Sequence, residues 1–191
     1  MKKLLFAVVF SLCFFIPTLG AEDLTFDTRI GYYFTTGGMF FRDSRLGYDL
    51  KALMPNLSVR AQYYVLDGVA LTGSSNNYKL GLQAAYNLKL NESLSITPFG
   101  GAALNNSTAL PSIISIDGGF EINYKLFSPV TAIIGADASF FTDSTMIDYY
   151  AGGSIPVLNW LSLEVLYCGL LNMSTTIVHN VGVGGRLTAK F

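Results

Sequence analysis

A period of two governs this chain. From Leu24 onward, apolar and polar residues alternate in run after run, and no stretch sustains the spacing of an amphipathic helix. In residues 78–90, Tyr78, Leu80, Leu82, Ala84, Tyr86, Leu88 and Leu90 share one face. Lys79, Gly81, Gln83, Ala85, Asn87 and Lys89 share the other. Side chains of a strand point alternately to its two sides, so this spacing predicts a two-faced β-strand. The same pattern recurs at 24–34, 46–53, 57–66, 113–126, 130–141, 146–157, 161–171 and 179–191. Residues 94–104 follow it less clearly, because Pro98 and the Gly100-Gly101 pair blur the phase, which predicts a bulge there. That makes ten strands, or eight if 46–53 and 94–104 do not span the sheet.

The connections are of two kinds. Met54-Pro55-Asn56, Asn91-Glu92-Ser93, Phe127-Ser128-Pro129 and Leu158-Asn159-Trp160 are tight and flanked by apolar residues. Longer polar segments at 35–44, 67–77, 105–112, 142–145 and 172–178 lie between them. Short turns on one side of a sheet and longer loops on the other match the asymmetry of outer-membrane barrels.

The N-terminus is different. Met1-Lys2-Lys3 is a short basic segment, Leu4 to Ile16 is continuously apolar, and Pro17 to Ala21 is a short exit rich in small residues. This is the layout of a secretory signal peptide, so 1–21 is expected to be removed and 22–191 to form one domain. The apolar run falls short of the roughly 20 residues a membrane helix needs. Cys168 is then the sole cysteine, which excludes an intramolecular disulfide. Removing Lys2 and Lys3 leaves 10 basic against 13 acidic residues, a net charge of −3 with no footing for nucleic-acid binding.

The positions of the charges separate a membrane barrel from a soluble sandwich. Glu22, Asp23, Arg42, Asp43, Asp67, Glu92 and Asp143 map to termini, loops or turns. Sixteen others map to strands: Asp27, Arg29, Arg45, Asp49, Lys51, Arg60, Lys79, Lys89, Asp117, Glu121, Lys125, Asp137, Asp148, Glu164, Arg186 and Lys190. Each of the sixteen lies opposite the apolar set of its own strand. The polar faces are also rich in Gly, Ala, Ser and Thr, which suits the crowded inside of a narrow tube. Apolar faces carry aromatics toward their ends, with Tyr32 and Phe34 at one rim and Tyr124, Trp160 and Phe191 at the other, as interfacial girdles do. A sheet facing lipid must close, because hydrocarbon offers nothing to a free edge. The expectation is an all-β, closed antiparallel transmembrane barrel.

The last strand, Val181-Gly-Val-Gly-Gly-Arg-Leu-Thr-Ala-Lys-Phe191, ends on an aromatic residue with Leu187 and Ala189 in phase with it. It resembles the C-terminal assembly signal of bacterial outer-membrane β-barrel proteins. The resemblance implies insertion into the outer membrane by the barrel-assembly machinery, with outer-membrane lipid around the barrel, and says nothing about activity.

The residues for familiar enzyme chemistry are missing from their expected places. Outer-membrane lipases need a His with a Ser two residues on, whereas His179 is followed by Asn180 and Val181. Omptin-like proteases need an Asp two residues before the His, and residue 177 is Ile. Cys168 faces inward with no neighbouring base in the pattern. No motif calls for a cofactor or a metal. The expected function is therefore non-enzymatic, either structural or a narrow polar pore passing small solutes or ions. A surface-interaction module acting through short loops is the alternative, and an enzyme comes third.

The remaining feature is a charged lumen built from Asp27, Arg29, Asp49, Lys51, Arg60, Lys79, Asp117, Glu121, Asp137, Asp148, Glu164 and Arg186. Acids gather on the sixth to ninth strands and bases on the tenth and first to fourth, which lie on opposite walls. A ten-strand barrel has a backbone radius of roughly 10 Å, so long side chains from both walls nearly meet. Either they pair and plug the tube, or they border a polar pore. Distance from the turn at 54–56 predicts Arg60 beside Asp49, and Arg186 and Glu164 are similarly placed on the tenth and ninth strands. The C-terminal motif has its own consequence. Deleting Phe191, or replacing it with a charged residue, is expected to leave protein in the periplasm and deplete the heat-modifiable outer-membrane form on gels.

Overall fold

The computed structural model describes residues 23–34, 38–68, 77–106, 114–174 and 177–191. Residues 1–21, the expected signal peptide, and much of the longer connecting segments lie outside the described residues. Alternation is realised as strands almost throughout: β1 (Leu24–Tyr33), β2 (Met39–Asp49), β3 (Leu57–Gly68), β4 (Asn77–Tyr86), β5 (Leu88–Lys89), β6 (Leu94–Asn106), β7 (Ile114–Phe127), β8 (Val130–Phe140), β9 (Thr145–Leu158), β10 (Leu161–Met173) and β11 (Ile177–Lys190). Each full-length strand pairs antiparallel with its chain neighbour, β1 pairs with β11, and the sheet is continuous all round. The result is a closed ten-stranded barrel with one short extra strand, and the eight-strand alternative is excluded.

That extra strand has a chemical cause. β4 pairs with β6 down to Ala85 and Phe99, and β5 resumes at Leu88 and Ile96 in the same register. The interruption falls opposite Pro98, which has no N–H to donate. On the other side of the strand the Asn87 N–H bonds the Asn56 carbonyl at 2.9 Å, continuing the β3–β4 register past the break. The expected bulge at Pro98 is thus absent: the residue breaks a ladder without shifting it. Register shifts occur instead near the turns, at Lys125/Phe127 and Leu161/Ser162.

Three expectations about the first half of the chain need correction. Residues 39–44 are not loop, because β2 begins at Met39, so Arg42 and Asp43 are strand residues. Consecutive aromatics at Phe40 and Phe41 hide the alternation there. Asp67 is likewise within β3 rather than in a loop. At its other end β2 stops at Asp49, and Lys51 sits in the connection 50–56, not on a strand. This connection is longer than the expected three residues and turns through Leu50, whose carbonyl accepts from Leu53 and Met54 at 2.9 Å. Asn56 then adopts a left-handed φ of 68°, which asparagine tolerates better than most residues.

The other connections at this end are short. Asn91 Oδ1 accepts from the Ser93 and Leu94 N–H groups at 2.8 Å, Ser128-Pro129 joins β7 to β8, and Asn159-Trp160 joins β9 to β10. Both chain ends of the barrel are here too, with Phe191 N–H bonding the Leu24 carbonyl at 2.9 Å. The outer wall is apolar and exposed: Val165 at 78%, Ile116 at 68% and Leu82 at 62%. In water such a surface could not persist, and in lipid it is the matching solvent. Tyr32 and Phe34 lie toward the rim of longer connections, and Tyr124, Trp160 and Phe191 toward the rim of short turns; Phe34, Tyr124, Trp160 and Phe191 are each about half exposed or more. Leu187 and Ala189 are on the outward face of β11, between β1 and β10.

Single cysteines in a Cys168→Ala background test this orientation. A membrane-impermeant maleimide on intact cells is expected to label position 143, between β8 and β9, and to spare positions 92 and 159.

Candidate functional site

The inward set of each strand meets its counterparts across a tube only about 10 Å in backbone radius. Polar side chains there have lost water and must satisfy one another. They do so in layers.

Nearest the rim of longer connections is an apolar layer. Tyr33, Phe41, Tyr64, Cys168 and Leu170 pack inside the barrel, each at most 4% exposed, with Met39, Leu66 and Met146 against them. The Tyr33 and Phe41 rings stack at 4.7 Å. Gly31 allows this, since a Cβ there would meet the Phe41 ring at 2.4 Å.

Below it lies an ion network. Arg29 bridges Asp43, at 3.4 Å, and Asp148, and its guanidinium sits 4.5 Å from the centre of the Tyr150 ring. Arg45 pairs with Asp43 at 2.8 Å and reaches Asp137 at 3.6 Å. Lys79 takes Asp117 at 3.0 Å, Asp137 at 3.6 Å and the Ser139 hydroxyl at 3.1 Å. Gln62 donates to Asp43 at 2.9 Å and to Asp137 at 3.3 Å, joining the walls. A lower group centres on Arg186, which binds Glu121 at 2.5 Å and Glu164 at 2.5 and 3.1 Å. Tyr150 donates to the same Glu121 at 2.6 Å. Except for Glu121, every ionic side chain in these two groups is at most 8% exposed.

Beyond this level the lumen opens into a vestibule of about 660 Å³ facing the short-turn end. Asp27, Asp49 and Arg60 line it. The proposed pairing of Arg60 with Asp49 is not realised: Asp49 faces Ser58 across the ladder, Arg60 faces Gly47, and no ion pair joins them. Lys51, expected in the lumen wall, is mostly exposed at the mouth and pairs with Asp23. Arg186 and Glu164, by contrast, are directly opposed in register. The basic and acidic walls do face each other, and Arg29, Arg45 and Lys79 reach across to β7, β8 and β9.

Asp43 is an acid on the basic wall, as Asp27 and Asp49 are, and it is the centre of the network. The expected strand 46–53 missed it by starting too late. Counting back by twos from Asp49 through Gly47 and Arg45 would have found it. Gln62 and Tyr150 were missed because they carry no charge, although both lie on inward phases. His179 is outward at the rim of longer connections, with Nε2 2.5 Å from the Tyr149 hydroxyl.

No protein-family model matches this chain, and no curated protein matches it in sequence. Among solved structures it aligns with an outer-membrane channel from Pseudomonas putida F1 at a TM-score of 0.56, with 11% identity over 91% of this chain and 97% of that one. It also aligns with a bacterial polysaccharide outer membrane secretin at 0.50 and 10% identity, covering 89% of this chain but only 66% of that one. The fold is that of the bacterial outer-membrane β-barrels. At this identity the likeness is one of fold alone.

The two halves of the lumen should respond differently to mutation. Arg186→Met leaves Glu121 and Glu164 without their cation, and the loss is expected to be about 3–5 kcal/mol by analogy with broken buried pairs. Adding Glu164→Gln should recover part of it. Arg60→Ala, in the vestibule and outside the ion network, should change the urea midpoint little.

Proposed function

We propose that this protein is a non-enzymatic outer-membrane barrel of structural type, closed at rest by its own side chains. The observation that carries this reading is the cross-lumen ion network, whose four cations and six carboxylates bridge the two walls beneath an apolar layer. Ions have no water-lined path through such a section without breaking several pairs at once. The candidate catalytic side chains are also kept apart: Cys168 is sealed in the inner apolar layer, and His179 faces away from the lumen. On this reading, residues 1–21 direct export, the aromatic C-terminus engages the assembly machinery, and lipid is the principal partner.

A narrow passive channel is the second reading, favoured by the polar vestibule that occupies the inner part of the lumen. The fold shared with a protein described as an outer-membrane channel is compatible with it. Such a channel requires the network to rearrange, and the excess of carboxylates over cations at the constriction would make it prefer cations.

Planar-bilayer recording of the refolded chain tests the choice. The closed reading expects no steady unitary conductance at neutral pH. Frequent, long-lived openings with cation preference in the unmodified protein would overturn it in favour of the channel.

A further inference from the structure

Arg42 breaks the pattern that organises the rest of the barrel. Its chain neighbours Phe41 and Asp43 point inward and are each 2% exposed, so Arg42 points out from β2 and is exposed. Among the described side chains it is the one charged group on the outward face of a spanning strand. It faces Ile30 on β1 and Val65 on β3. Toward the middle of the wall it has company. Arg42 Nε donates to Ser44 Oγ at 3.0 Å, and that oxygen is 2.9 Å from Thr28 Oγ1. Tyr63 lies across from Ser44 on β3 and is 42% exposed.

We infer that Arg42, anchored through Nε by Ser44, forms a binding site for the phosphate of an anionic lipid headgroup on the outer wall. Three features support it. A charge on a lipid-facing position is costly at mid-bilayer and becomes tolerable toward the interface, so it is retained where something compensates it. The Tyr32 and Phe40 rings, 4.7 Å apart, lie one outward step nearer the rim of longer connections. A strand rising about 3.3 Å per residue and tilted by about 40° puts Arg42 roughly 5 Å below that pair, within a guanidinium's reach of headgroup phosphates. Finally, the Ser44 bond holds the side chain through Nε, leaving the two terminal nitrogens for a bidentate acceptor such as phosphate. No carboxylate among the described side chains forms an ion pair with Arg42. The inference depends on the barrel spanning the membrane and is independent of whether its lumen conducts.

The full chain refolded in phosphatidylcholine vesicles, with or without lipid A, supplies the test. Lipid A is expected to raise the thermal unfolding midpoint by about 3 °C, the order of shift for a ligand several-fold above its Kd. Arg42→Gln should abolish that shift and Arg42→Lys should keep part of it. Lys125→Gln, at the opposite rim, should leave it intact, and inorganic phosphate alone should produce none. An equal lipid A shift in Arg42→Gln overturns the inference. So does a wild-type midpoint indifferent to lipid A while Arg42→Gln converts a dimer to a monomer, which would assign the patch to a second copy. A third overturning result is no lipid A response together with equal destabilisation by Arg42→Gln and Asp67→Asn in phosphatidylcholine, the signature of an internal pair. If Arg42→Gln does not refold, Ser44→Ala and Arg42→Lys carry the same comparison, and an undiminished shift in both counts against the site.

Discussion

Backbone hydrogen bonding in hydrocarbon is the constraint on which everything else here depends. A strand edge facing lipid leaves N–H and C=O groups with no partner, and each such group is expensive. The pairing of β1 with β11 removes the last edge, and the pairing of β4 with β6 keeps the wall continuous where Pro98 interrupts it. The break opposite Pro98 shows how local the tolerance is. It sits near the short-turn rim, and on the other side of the same strand the Asn87 N–H bonds the Asn56 carbonyl, so the β3–β4 ladder runs on past it.

Closure inverts the usual distribution of polarity and so creates the lumen. With apolar side chains directed to lipid, the polar half of every strand is confined to a narrow tube. Ten strands leave too little space for bulk water at the level of Arg29, Arg45 and Lys79, so charges there are held by other charges. Such networks are weak evidence for net stability, since desolvation offsets much of the Coulomb attraction. Their consequence is geometric: they tie β1, β2 and β4 to β7, β8 and β9 across the tube. The vestibule remains where Ser, Thr and Asn side chains are too short to span.

Alternation exposed most of this in advance, and its failures have physical causes. Arg186 and Glu164 were readable as partners because the β10–β11 ladder keeps one register from Leu161↔Ala189 to Met173↔Ile177, with no offset to absorb. Asp49 and Arg60 were not, because the connection 50–56 is long enough to absorb an offset, and Arg60 ends beside Gly47. The start of β2 was hidden by the Phe40-Phe41 pair, one ring outward and the other stacked on Tyr33. That same ambiguity concealed both Asp43, at the centre of the lumen, and Arg42, on the lipid side.

By itself, the sequence determined the side on which each strand residue falls, since a period of two needs only covalent geometry. It therefore determined a two-faced sheet with one apolar and one charged side, and the handover from short to long connections. Which charges meet was decided only by the tertiary structure. Partners such as Lys79 and Asp117 belong to strands that are not adjacent in the sheet, and their distance depends on how the wall curves to close. Closure is a property of all ten strands together, and no local pattern encodes it.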